Sequence, residues 1–212
     1  MIFETLAVGP LQCNCYIIGC EKTREALVID PGDEAELILP LIHKHQLKVR
    51  YILSTHAHID HVGDLEKIRD QTRAETLLHE EDLSLYNSLS VQAAWLGIVT
   101  PKATKIDNFI HQGDKLRFGD HSGEVLFTPG HTPGSICLHL PEDKGRLFAG
   151  DTLFQSSIGR TDLWGGSYEN IIKSIHERVL LLGDDTVVYP GHGPTTTIGH
   201  ERKHNPFLQN SG

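Results

Sequence analysis

The run His56-Ala57-His58-Ile59-Asp60-His61 packs four potential metal ligands into six residues, directly after the apolar stretch Val49-Arg50-Tyr51-Ile52-Leu53. A lone histidine is ordinarily a surface residue or a satisfied core residue. Four donors side by side at the end of a strand are not explained that way. His56 and His58, two apart in extended backbone, face the same side. Asp60 and His61, at the start of a following helix, turn toward an adjacent position. Two neighbouring metal positions are implied.

Three further candidates share this local setting. Val125-Leu126-Phe127-Thr128-Pro129-Gly130 leads into His131, Leu147-Phe148-Ala149-Gly150 into Asp151, and Val187-Val188-Tyr189-Pro190-Gly191 into His192. Each follows an apolar strand and a small or turn-forming residue able to re-aim the backbone. The carboxyl ends of strands in α/β proteins gather at one edge, where ligands bind, so all seven groups are expected to converge there.

The rest of the chain supports an α/β class, because short Val/Ile/Leu-rich runs alternate with helical patterns. Strands are expected at 1–8, 15–18, 26–29, 49–53, 123–127, 136–140, 146–149 and 186–189. Helices are expected over 34–46, strained at Pro40, and over 62–72. The clearest helix covers 168–182, with Ser167 as cap, the stripe Ile171, Ile172, Ile175, Val179 and Leu182, and Gly183 after its end. Residues 85–110 read as a loop-rich insertion beside the site. No repeat or linker divides the 212 residues, so a single domain, 1–212, is expected.

Acids outnumber Lys and Arg by 28 to 19, a formal charge of −9 with no dense basic run, which disfavours nucleic acid as partner. No apolar run approaches a membrane span and the first residues lack a basic signal region, so no membrane partner and a cytoplasmic location are expected. Cys13, Cys15, Cys20 and Cys137 have no C-x-x-C spacing and read as small buried thiols. Neither a G-x-S-x-G elbow nor a Cys/His signature offers a protein nucleophile, so a metal must supply one.

With these residues in view, nearly the whole chain resembles the metallo-β-lactamase superfamily, in its glyoxalase II-like (hydroxyacylglutathione hydrolase) branch. The motifs carrying the resemblance are Asp30-Pro31-Gly32, Thr55 to His61, Pro129-Gly130-His131-Thr132-Pro133-Gly134, Gly150-Asp151-Thr152-Leu153-Phe154 and Pro190-Gly191-His192-Gly193. The resemblance implies a four-layer αββα sandwich. It puts one metal on His56, His58 and His131 and another on Asp60, His61 and His192, with Asp151 bridging them and Asp30 orienting a ligand histidine by hydrogen bonding. Asp60 and Asp151 are the catalytic candidates among these. Imidazole and carboxylate ligands without thiolate suit two divalent ions, zinc first, with iron or manganese as alternatives.

The activity this implies is metal-dependent hydrolysis of a small-molecule thioester or related carbonyl substrate, such as S-D-lactoylglutathione, by a metal-bridging hydroxide. A leaving thiol needs no dedicated acid. Arg160, in Ile158-Gly159-Arg160-Thr161-Asp162, is a candidate for holding the thiol portion, with Arg202 and Lys203 as further substrate contacts. Typical glyoxalase II enzymes carry lysine in a different setting near the Arg160 position, and they continue into a helical domain where this chain resembles shorter members. The alternatives are a mononuclear iron persulfide dioxygenase, whose Gly-Arg-Thr-Asp run resembles residues 159–162, and a promiscuous lactonase, esterase or β-lactamase.

Overall fold

A computed structural model describes residues 1–209, which fall into two compact units: Met1–Ile110 with Arg117–Ser122, and His111–Leu116 with the chain from Gly123 onward.

The first unit holds β1 (Ile2–Val8), β2 (Cys13–Gly19), β3 (Glu25–Ile29), α1 (Ala35–Lys44), β4 (Lys48–Leu53), α2 (Ile59–Val62), α3 (Leu65–Thr72), β5 (Glu75–Leu78), α4 (Leu83–Tyr86), α5 (Leu89–Leu96) and β6 (Asn108–Phe109). Its sheet has the order β1-β2-β3-β4-β5-β6. The first three strands are antiparallel, and β3 through β6 are parallel. All of β2 and the apolar part of β3 are buried on both faces, which explains why they read as continuous apolar runs rather than alternating ones. Ile38 and Ile42 of α1 and Leu65 and Ile68 of α3 pack with Ile17, Val28 and Ile52 of the strands. Each such side chain contributes roughly 1.5–3 kcal/mol on burial.

Pro40 sits inside α1 without ending it. The helix loses one backbone bond there, and at its start the Ala35 amide is satisfied by the Asp64 carboxylate, which accepts from it at 2.8 Å. The expected loop-rich stretch from 85 is instead partly helical. α5 occupies Leu89–Leu96, and its apolar residues do not form the one-sided stripe that would have announced it.

The second unit holds β7 (Lys115–Phe118), β8 (His121–Phe127), β9 (Ile136–Leu140), β10 (Arg146–Gly150), β11 (Leu153–Phe154), β12 (Ser157–Ile158), α6 (Tyr168–Ser174), β13 (Val187–Pro190), β14 (Thr196–Thr197) and α7 (Ile198–His204). The ends of β7 and β8 that flank their shared turn group with the first unit. The sheet order is β14-β13-β10-β9-β8-β7. Ser167 caps α6 by accepting from the Asn170 amide. The expected helix does not continue regularly to 182. At Ile175–Val179 it widens into a π-turn, closed by the Leu180 amide on the Ile175 carbonyl at 2.8 Å. The stripe survives the change: Ile171, Ile175 and Val179 pack with Leu126, Leu147 and Val188.

Candidate metal centre

In the first unit β3 and β4 are parallel, so Asp30 and the Thr55–His61 segment leave the sheet at one edge. His58 is extended (φ −69°, ψ 145°) and α2 begins at Ile59, so Asp60 and His61 lie on the first helical turn. The segment is clamped by groups that sequence reasoning missed. Asp82 accepts from the Ala57 amide at 2.9 Å, while Gln92 of α5 donates to the Ala57 carbonyl at 3.1 Å and accepts from the Ile59 amide at 2.9 Å. The ring centroids of His56 and His58 lie 4.9 Å apart, and those of His56 and His61 4.0 Å.

Asp30 organises these rings. Buried and in the left-handed backbone region (φ 51°), it accepts from the Thr55 amide and the Thr55 hydroxyl, each at 2.7 Å, and from His61 Nδ1 at 3.0 Å. The Thr55 hydroxyl spends its only proton on Asp30, so at 3.1 Å it accepts from His56 Nδ1. Both rings therefore keep Nε2 as the acceptor that a metal requires. The Asp30-Pro31-Gly32 turn docks tightly under α2: a Cβ on Gly32 would lie 1.5 Å from the Asp60 carbonyl oxygen. Cys13 approaches His61 Nδ1 at 3.5 Å, and burial pushes its thiol up to about 12, so it stays protonated. All four cysteines are buried and unbridged.

In the second unit β8 and β10 both run antiparallel to β9, and β13 is parallel to β10. The residues after β8, β10 and β13 therefore leave the sheet at one edge. They are His131, Asp151 and His192. The Gly191 amide bonds the Gly150 carbonyl at 2.7 Å, tying two of these exits together. Gly130 (φ +142°) lets the first turn lie against α6, where a Cβ would meet the Ile171 amide nitrogen at 2.2 Å. His131 Nδ1 donates to the Arg160 carbonyl at 2.8 Å, so its Nε2 is an acceptor too.

The donor spacings fit a metal. Two ligand atoms at 2.0–2.2 Å from one tetrahedral ion stand about 3.3–3.6 Å apart. Asp151 Oδ2 lies 3.5 Å from His131 Nε2 and 3.7 Å from His192 Nε2, and His61 Nε2 lies 3.7 Å from Asp60 Oδ2. These separations are long for hydrogen bonds and close to the edge of a coordination polyhedron.

Arg160 is exposed, and its guanidinium grips Asp162 through two bonds of 2.8 and 2.9 Å. The same contact raises the arginine pKa and holds the Asp162 carboxyl down at about 2. Arg202 is engaged with Asp184 and with the carbonyls of Leu180 and Leu182, and Lys203 is exposed on α7.

Residues 8–192 match the Metallo-beta-lactamase superfamily. The chain belongs to that superfamily. It is accordingly an α/β metallo-hydrolase with clustered histidine and aspartate donors for divalent metal ions. It is 39% identical to the Hydroxyacylglutathione hydrolase GloC of Haemophilus influenzae, over 98% of both chains. Among solved structures, the BLEG-1 B3 metallo-beta-lactamase is 37% identical with a TM-score of 0.91, covering 99% of this chain and 100% of that one. TTHA1623, in a di-iron-bound form, is 38% identical with a TM-score of 0.88, covering 97% and 100%. No helix among the described residues is long and apolar enough to cross a membrane.

Proposed function

We propose that the chain is a dinuclear thioesterase acting on glutathione thioesters, with His56, His58 and His131 on one ion, Asp60, His61 and His192 on the other, and Asp151 bridging. One observation carries the dinuclear part of the reading: a single oxygen of Asp151 stands 3.5 Å from His131 Nε2 and 3.7 Å from His192 Nε2, the two histidines assigned to different ions. Zinc is the first assignment. Iron is the competitor, given the di-iron form of the 38% identical structure.

Bound as a pair, such ions lower the pKa of a water toward ~7 and so supply a nucleophile at neutral pH. The chain's own residues orient this chemistry. Asp30 and Thr55 fix the tautomers of His61 and His56, the Arg160 carbonyl fixes that of His131, and Gln92 and Asp82 hold the peptides between His56 and Asp60. With Asp60 and Asp151 committed as ligands, neither carboxyl remains to protonate a leaving group. A thiol with a pKa near 8.5 departs unaided as thiolate, whereas an amide nitrogen does not. The Arg160 guanidinium, balanced on exposed Asp162, is the group we assign to a carboxylate of the thiol portion. The 39% identical hydroxyacylglutathione hydrolase supports this choice of substrate class.

The test is hydrolysis of S-D-lactoylglutathione alongside metal analysis. The expected result is turnover with two metals per chain. One iron per chain with oxygen uptake on a persulfide, and no thioester cleavage, would overturn the reading.

A further inference from the structure

Within the first unit a cleft of about 530 Å³ runs from the turn after β1, past Gly32 and α2, to the segment following α5, and Asp60 is part of its lining. That volume is in the range of small-molecule sites, about 300–1,000 Å³. Its apolar wall is formed by Leu11, Ile59, Leu96, Ile98, Val99 and Pro101. Several of these are left in water: Val99 is 90% exposed, Leu11 50% and Ile98 48%. Apolar side chains clustered around a concavity and left uncovered mark a surface that a ligand or a partner covers.

The charged lining points the same way. Lys67 is paired with Asp64 at 2.7 Å, and Lys102 is paired with Glu66. Both lysines of the lining are thus balanced within it, and Asp33 adds a further negative charge. The lining carries four acids, Asp33, Asp60, Asp64 and Glu66, against these two lysines, so it repels the carboxylates of a glutathione moiety, whereas an uncharged chain would bury itself against the six apolar residues. Asp60 joins this cleft to the donor cluster.

Resting on the thioesterase reading above, we propose that the cleft holds the acyl side chain of the substrate. The enzyme then prefers extended apolar acyl groups over the small hydroxylated lactoyl group. Each methylene taken from water into such a cleft raises affinity about twofold to fourfold, depending on how fully it is covered.

The experiment uses the metal-loaded protein, with acetyl-, butyryl- and hexanoylglutathione as substrates and the uncleavable methyl, butyl and hexyl thioethers of glutathione as ligands. The expected result is a rise of at least tenfold in kcat/KM from acetyl to hexanoyl, and a parallel rise in thioether affinity by calorimetry. Val99→Asp, on an exposed side chain that the fold does not need, and Leu11→Ser should each flatten both trends. Equal kcat/KM along the series, or thioether affinities independent of chain length, would overturn the proposal. Flat trends together with a wild-type dimer that Val99→Asp dissociates would also overturn it, assigning the apolar wall to a contact between two copies. The thioethers are not cleaved, so their binding reads the cleft even if no thioester is hydrolysed. Failure of the thioesterase reading and failure of this one therefore look different.

Discussion

Oδ2 of Asp30 lies 3.0 Å from Nδ1 of His61, and the far nitrogen of the same ring lies 3.7 Å from Asp60. The buried carboxylate thus sets which nitrogen faces the donor cluster, and through the Thr55 hydroxyl it does the same for His56. Asp30→Asn keeps the shape and tolerates the left-handed backbone, yet it replaces one acceptor oxygen by a donor. Metal affinity should fall about 10- to 100-fold, read by competition with a chelator. Unchanged affinity would show that His61 and His56 are oriented without Asp30.

Arg160 acts on His131 through its backbone carbonyl, so its side chain can be removed without disturbing that ring. Arg160→Ala should keep the wild-type metal content while raising KM for S-D-lactoylglutathione by roughly tenfold or more, the worth of a hydrogen bond to a charged group. If KM does not move, the guanidinium serves only Asp162.

Gly159 approaches the Asp151 backbone so closely that an added Cβ would sit 1.8 Å from its carbonyl oxygen. The obstacle is backbone, which cannot swing aside. Gly159→Ala should cost about 1–3 kcal/mol, or more if the Asp151 turn is displaced. Gly183→Ala meets nothing within 4 Å and serves as the control, within about 0.5 kcal/mol of wild type. Thermal unfolding of the two variants measures the difference.

The strand ends that carry the candidate donors were legible because their signals are local. The spacing from His56 to His61 and the turn residues before His131, Asp151 and His192 sit in the sequence as written, and both sheets bear out the strands that precede them. The clamp was not legible. Gln92 lies on a helix with apolar residues on all sides, and its partner peptides at Ala57 and Ile59 are more than thirty residues away. The break in the expected 168–182 helix is hidden from the sequence for a similar reason. Periodicity records which face is buried, whereas Ser174 bonding the Pro129 carbonyl and Arg202 holding the carbonyls of Leu180 and Leu182 are tertiary events.

Asp107 gives a pH-dependent check on the first unit. The Arg69 guanidinium hydrogen-bonds it at 3.0 and 3.2 Å, Thr76 adds its amide and hydroxyl, and the carboxyl is held down at about 2. A folded pKa below the unfolded 3.8 means the stabilisation is complete above that value and is lost as pH falls from about 4 toward 2. Asp107→Asn should lower stability at pH 7 by about 1–3 kcal/mol, with the gap to wild type closing near pH 2. Denaturant midpoints at the two pH values read this directly. A gap that persists at pH 2 would mean the loss is one of shape rather than charge.

The bridging role proposed for Asp151 is tested by counting metals in Asp151→Ala, with S-D-lactoylglutathione turnover measured on the same preparation. Two metals per chain are expected in the wild type, fewer than two in the variant after dialysis, and turnover reduced to background. A variant that keeps two tightly held metals and hydrolyses the thioester at the wild-type rate would contradict it.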